Sequence, residues 1–156
     1  MKTSHKKVPK IAVVVSKFNE FITERLLDGC LDEFSRRGIN KNNVPVYWVP
    51  GSFDIPVVAE NLGRKKDIEA VICLGAVIRG ETIHFDLVAQ EAARGIMQVS
   101  LSTGKPIIFG VITTETTAQA YKRSQAKGSN KGRDAVVSAL DMIEVFKKIK
   151  AAKKHA

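Results

Sequence analysis

The stretch Leu74-Gly75-Ala76-Val77-Ile78-Arg79-Gly80-Glu81-Thr82-Ile83-His84-Phe85 decides the fold. Just before it, Ala70 to Leu74 is an apolar run that reads as a buried strand. Past it, Phe85, Val88, Ala92 and Ile96 recur at helical spacing. A strand joined to a helix by a Gly-, Arg- and Thr-bearing turn offers free backbone N–H groups at a helix N-terminus, the arrangement that cradles phosphate. The turn ends on His84, the one histidine away from the chain ends, where His5 and His155 lie. An imidazole with its ordinary pKa of about 6.5 can move protons near neutrality. Phosphate cradle and proton carrier together point to an enzyme acting on a small phosphorylated metabolite.

The same alternation extends in both directions. Lys10 to Val15 reads as a first strand, continuously apolar from Ile11 as a strand covered on both faces should be. Ile22, Leu26, Cys30 and Phe34 mark a helical stripe that Gly38 ends. Val44 to Val49 is the second strand, Pro56 to Leu62 a short helix, and Glu69 to Leu74 the third strand. A long helix from His84 to Ser102 stops at Gly104, and Pro106 to Ile112 is the fourth strand. A helix over Thr116 to Arg123 precedes a polar break, Gln125 to Asn130. Asn130 suits the N-cap of a last helix striped by Val136, Leu140 and Ile143. Strands alternating with helices mean a parallel sheet with right-handed crossovers, hence helices on both faces. The expectation is one α/β domain over residues 1–156, a three-layer α/β/α sandwich with a four-stranded parallel sheet, flavodoxin-like. Residues 1–9 and 150–156 are expected as flexible basic ends.

Composition narrows the function classes. No apolar run approaches the length of a membrane span, and Met1 to Lys10 lacks the apolar segment of a secretory signal. Cys30 and Cys73 sit inside apolar patterns with no CxxC pairing, so they read as buried thiols in a reducing, cytoplasmic setting; no metal-ligand cluster is visible. The net charge of +9 lies in the ends. Residues 1–10 hold four lysines and no acid, residues 121–156 ten basic and three acidic groups, and residues 11–120 eleven basic and thirteen acidic. Lys147, Lys148, Lys150, Lys153 and Lys154 most simply make a solvated helix end, favourable to the dipole. Only Phe146 interleaves with them, so a nucleic-acid partner is not expected.

Ligands of such sheets bind beyond the carboxyl ends of the strands. The segments delivered there are Ser16 to Asn19, Pro50 to Asp54, Ala76 to His84, and Thr113-Thr114. Phe18, flanked by Lys17 and Asn19, is either a core residue or an exposed ring that stacks on a flat heterocycle. Ser52 and Asp54 open a helix as N-cap and dipole partner, or they meet a polyhydroxylated ligand; both readings hold together. Gly80 and Thr82 favour an anion, one through close backbone approach and one through its hydroxyl, whereas the Glu81 carboxylate must point away. Arg123 and Lys131, on either side of the last break, are surface charges by default, although a guanidinium suits bidentate phosphate binding.

Five linked motifs then carry a resemblance. Lys17-Phe18-Asn19, Val49 to Pro56, Gly75 to Phe85, Pro106 to Val111 and Asn130-Lys131-Gly132 follow the order and spacing of the 6,7-dimethyl-8-ribityllumazine synthase family, from about Ile11 to Lys148. The resemblance implies the penultimate step of riboflavin biosynthesis. In that step 5-amino-6-(D-ribitylamino)uracil condenses with 3,4-dihydroxy-2-butanone 4-phosphate, without metal or redox cofactor. It implies that Phe18 stacks on the pyrimidine, that Ser52, Phe53 and Asp54 with Ala76, Val77 and Ile78 hold the uracil and ribityl groups, and that Glu81 and Thr82 give backbone donors to the phosphate. His84 is implied as the proton-transfer residue. Phe109 and Arg123 are implied to come from a neighbouring subunit, with Lys131 near the same site.

The chain departs from the family pattern at Lys17 (usually Arg), Asp54 (usually Glu), Ser124-Gln125-Ala126 (commonly Ala-Gly-Thr), and Asp134 and Asp141 (typically Glu). None of these removes the histidine or a phosphate ligand. The family also implies a pentamer, in some members twelve pentamers in a shell, with riboflavin synthase as a further partner. An uninterrupted Arg123–Asn130 break suits a shell, while a lysine-rich start with Pro9 limits edge pairing, so both assemblies stay open. Two other classes compete: a flavin or lumazine storage protein of the same fold, which needs no proton shuttle, and a nucleic-acid binder using the basic ends.

Overall fold

The computed structural model describes residues 7–154. Four strands, β1 (Ile11–Ser16), β2 (Val46–Val49), β3 (Ala70–Ile78) and β4 (Ile107–Thr114), form one sheet in the order β2-β1-β3-β4, every pair parallel. Five helices join them: α1 (Glu20–Arg36), α2 (Ile55–Gly63), α3 (His84–Thr103), α4 (Thr117–Lys122) and α5 (Lys131–Lys154). The β2-β1-β3-β4 order is that of a flavodoxin-like sheet without a fifth strand.

The continuous apolar strands are explained by burial on both faces. Ile11, Val13 and Val15 of β1, with Ile72 and Leu74 of β3, meet Leu26, Cys30 and Phe34 of α1 and Val136, Ala139 and Ile143 of α5. Their alternate neighbours Ala12, Val14, Val71 and Cys73 meet Ile55, Ala59 and Leu62 of α2 and Ile96 and Val99 of α3. Side chains of period two thus feed two separate cores, one per face. Both cysteines are free and buried, and burial pushes both thiols up.

Helix ends follow the sequence closely. Gly38 (φ 78°) and Gly104 (φ 65°) adopt the left-handed conformation past α1 and at the end of α3, where a side chain would be strained. Asn130 caps α5, its Oδ1 accepting from the N–H groups of Gly132 (2.9 Å) and Arg133 (3.1 Å).

Strand bounds needed correction. β2 starts at Val46, after a 3-10 turn at Lys41–Asn43 and after Pro45, which has no N–H for the ladder. β3 continues to Ile78 and β4 to Thr114, because Gly75 to Ile78, expected as a turn, pair with Val111 to Thr114. At the C-terminal end, Lys150 to Lys154 continue α5 rather than forming a loose tail. Residues 7–9 carry no regular secondary structure, and residues 1–6 and 155–156, the remainder of the expected flexible ends, lie outside the described residues.

Candidate active site

The sheet delivers most candidate residues to its carboxyl edge. Beyond β1, Phe18 is 71% exposed on a turn shaped by Asn19, whose φ of 60° is the only positive value outside glycine among the described residues. The Asn19 side chain donates to the carbonyl of Ala76 (2.8 Å), tying this turn to the end of β3. Phe18 is therefore not a core residue: its ring lies open beside the strand end that carries Ala76, Val77 and Ile78.

Between β2 and α2, Ser52–Asp54 is a single 3-10 turn. Gly51, not Ser52, is the cap residue, and its N–H donates to Asp54 Oδ2 (3.0 Å). One carboxylate oxygen of Asp54 therefore shapes the turn, as the local account of this residue expects. Ser52 is buried, and Phe53 is 64% exposed. A methyl group on Gly75 would lie 2.6 Å from Ser52 Oγ and 3.1 Å from Ser16 Oγ, so glycine there admits both hydroxyls beneath the turn. Ser16 Oγ is buried and has no hydrogen-bond partner.

Gly80 to His84 form an exposed bend running into α3. Glu81, Thr82 and His84 are all at the surface, and the His84 N–H points to Thr82 Oγ1 at 3.4 Å. A side chain at Gly80 would meet nothing within 4 Å, which leaves the backbone open to close approach. The loop is framed by Arg79, a residue without an assigned role in the sequence reading. Its Nε donates to Glu115 Oε2 (2.6 Å) and its terminal nitrogens to Asp86 (3.3 and 3.4 Å). Those carboxylates hold its pKa above the ordinary arginine value.

The remaining three candidates gather elsewhere. Phe109, Arg123 and Lys131 line one cavity of about 350 Å³ between the edge strand β4 and the start of α5, together with Asp134 and Ser138. Phe109 pairs in register with Cys73, five residues before the strand ends at Ile78 and Thr114. At strand rise that is about 16 Å short of the edge that carries the loop. The chain thus has two clusters, Phe18 to His84 at the carboxyl edge and Phe109, Arg123 and Lys131 on the flank.

The flank cluster is held by residues with no local signature in the sequence. Arg25 of α1 donates through Nε to the carbonyl (3.2 Å) and hydroxyl (3.3 Å) of Ser124 and lies over the Tyr121 ring. Asn130 Nδ2 donates to the carbonyls of Arg25 and Gln125, and Arg133 donates to those of Gly128 and Ala126. The Lys131 N–H donates to the Arg123 carbonyl (2.9 Å), so the backbones that carry the two cations are tied together. Arg123 Nη1 is engaged by the Gln119 carbonyl and Lys131 Nζ by Asp134, at 3.1 and 3.5 Å. Among the described residues no group of three or more His, Cys, Asp or Glu side chains could hold a metal ion, and no helix is long and apolar enough to cross a membrane.

Fold and site together define a flavodoxin-like α/β/α protein with an aromatic, donor-rich carboxyl edge and a cationic cleft on its flank. A sequence model of 6,7-dimethyl-8-ribityllumazine synthase matches residues 8–147. The 6,7-dimethyl-8-ribityllumazine synthase of Protochlamydia amoebophila (strain UWE25) is 48% identical over 146 residues, covering 94% of this chain and 85% of that protein. The chain belongs to the 6,7-dimethyl-8-ribityllumazine synthase family.

Proposed function

We propose that the protein condenses 5-amino-6-(D-ribitylamino)uracil with 3,4-dihydroxy-2-butanone 4-phosphate to 6,7-dimethyl-8-ribityllumazine, releasing phosphate and water, as the penultimate step of riboflavin biosynthesis in the cytoplasm. The observation that carries this reading is the family match over residues 8–147, a span that contains all thirteen candidate residues. The exposed Phe18 ring stacks on the pyrimidine. Ser52, Phe53, Asp54 and the Ala76–Ile78 strand end hold the uracil and ribityl groups. Backbone N–H groups at Glu81 and Thr82 receive the phosphate, and His84 transfers protons as the amine and ketone condense. Positioning two substrates supplies up to about 7–11 kcal/mol in favourable cases, and proton transfer a further 10²–10⁴-fold or so, enough for a reaction without a metal or redox cofactor.

The second cluster completes the site from a neighbouring copy. Phe109 covers the ring from the other side, Arg123 grips the phosphate, and Lys131 stands near it. Two features support a ring of subunits. Phe109 lies five residues back from the carboxyl edge, in the cleft that Arg123 and Lys131 line, and α3 with its N-cap Ile83 carries an exposed row, Ile83, Leu87, Gln90, Arg94, Met97 and Leu101. That row alternates steps of four and three, the spacing by which helices pack side by side. A ring closes only through such head-to-tail contacts. Riboflavin synthase, which uses the product, is the expected further partner.

The test is direct. Mixing the purified protein with both substrates should give the fluorescent lumazine, and light scattering should give a mass of at least five chains. Absence of product with both substrates present overturns the catalytic reading. A monomer that makes lumazine overturns the shared site.

A further inference from the structure

The bend Gly80 to Ile83 carries the proposed phosphate donors and sets the place of His84, yet little of its own structure holds it. Its residues are exposed, and the hydrogen bonds within the segment are the 3.4 Å contact from His84 N–H to Thr82 and the 3.2 Å bond from Leu87 N–H to the Ile83 carbonyl. Its two ends are joined by a single side chain. Arg79 stands immediately before the bend, fixed by its own N–H to the Thr114 carbonyl (2.8 Å). Its guanidinium reaches past the bend to the first turn of α3, where its carbon lies 4.4 Å from the centre of the Phe85 ring and its terminal nitrogens face both oxygens of Asp86. The Nε bond to Glu115 anchors the same group to the residue following β4.

The geometry points to Arg79 as a positioning residue for this reaction: it clasps the bend shut across residues 80–84 and so fixes the phosphate donors and His84. The inference rests on the proposed lumazine-forming activity. One guanidinium against two carboxylates leaves the local charge at −1, a poor receptor for phosphate, so Arg79 acts through the loop rather than on the substrate. A planar fork is also what the arrangement requires. Lysine offers one point charge and cannot face Asp86 with two nitrogens, reach Glu115 and lie over an aromatic ring at once. Displacements of about 1 Å at a reacting centre can lower rates by up to roughly a hundredfold, so a loosened bend should be visible in turnover while the two cores stay intact.

Kinetics of Arg79→Lys, Asp86→Asn and the double variant test this, with folding and assembly checked by circular dichroism and light scattering. Positioning predicts that each single change lowers kcat about tenfold or more and raises KM for the butanone phosphate, with KM for the uracil substrate unmoved. The double variant should be no worse than the poorer single one, because both break the same clasp. Asp86→Asn decides between the two roles. If Arg79 instead binds phosphate directly, freeing it from Asp86 lowers or leaves unchanged KM for the butanone phosphate, and the proposal fails. It fails equally if both single variants match the parent, or if their effects multiply. Should Arg79→Lys not fold, Asp86→Asn with Arg79 intact carries the same test. A parent protein that forms no lumazine would instead overturn the underlying activity, a result distinguishable from any variant effect.

Discussion

Replacing Gly132 by alanine tests whether the α1–α5 contact holds the flank cluster. A methyl group on Gly132 would lie 1.8 Å from the carbonyl oxygen of Leu26 and 3.1 Å from Asn130 Oδ1. An ordinary C···O contact is about 3.3 Å, so the two backbones must part by about 1.5 Å. Leu26, Cys30, Val136 and Ala139 are fully buried in this core, and no flexible side chain is available to yield instead. Overpacking of this kind costs about 1–3 kcal/mol, occasionally more. Displacing the Asn130 cap adds about 1 kcal/mol, and alanine's better helix propensity returns at most about 1 kcal/mol. A net loss of about 1–3 kcal/mol in a chain of this size lowers Tm by about 2–12 °C, read by thermal denaturation at one fixed protein concentration. Asn130 also pins the break that carries Arg123 and Lys131, so KM for the butanone phosphate should rise several-fold without a matching change for the uracil. A Tm at or above that of the parent would mean that helix propensity outweighs the clash and would refute the reasoning.

Three further outcomes follow from the placement of the candidate residues. His84→Ala should slow lumazine formation by roughly 10²-fold or more without abolishing it, since positioning survives loss of the proton carrier; an unchanged kcat at neutral pH removes His84 from the mechanism. Arg123→Ala should raise KM for the butanone phosphate by about ten- to a hundredfold, the equivalent of a charge-assisted contact of about 1.5–3 kcal/mol, and equal effects on both substrates would make Arg123 structural. His84→Ala and Arg123→Ala chains, unfolded together and reassembled, should recover activity above the mean of the two parents, because some interfaces then pair two intact halves. No recovery would place the whole site within one chain.

Helices α1 and α3 were legible because each carries a stripe and a stop, as in α1 with Ile22, Leu26, Cys30 and Phe34 before Gly38. Asn130 was legible as a cap for the same reason: capping is local chemistry. The true length of β3 was not. Gly75 looks like a turn residue in isolation, and only pairing with Val111, a contact across the sheet, makes Gly75 to Ile78 strand. Nor does the sequence suggest that Arg25 supports Ser124, 99 positions away, or that Asn19 reaches Ala76. Such contacts depend on where the fold brings backbone carbonyls, and no spacing rule encodes that. The residues alone pointed to Phe18, Ser52, Asp54, Thr82, the interior His84 and two cations at a break; the resemblance supplied the remaining site residues and the role of each.

The exposure of the aromatics gives those residues a further meaning. Phe18, Phe53 and Phe109 are 71%, 64% and 46% exposed, and Ile83 and Leu87 stand open beside the bend. Water would have to leave the first three for a heterocycle to stack, and nothing among the described residues of one chain covers them. Full burial of one such side chain contributes about 1.5–3 kcal/mol. In the proposed ring, a neighbour that brings Phe109 and Arg123 against the carboxyl edge would therefore dry the site, strengthen the charge contact to phosphate and bury apolar surface in one step. Assembly and catalysis then draw on the same surface. Phe109 can stay exposed on an edge strand because, in this reading, its partner is the neighbouring chain rather than its own core.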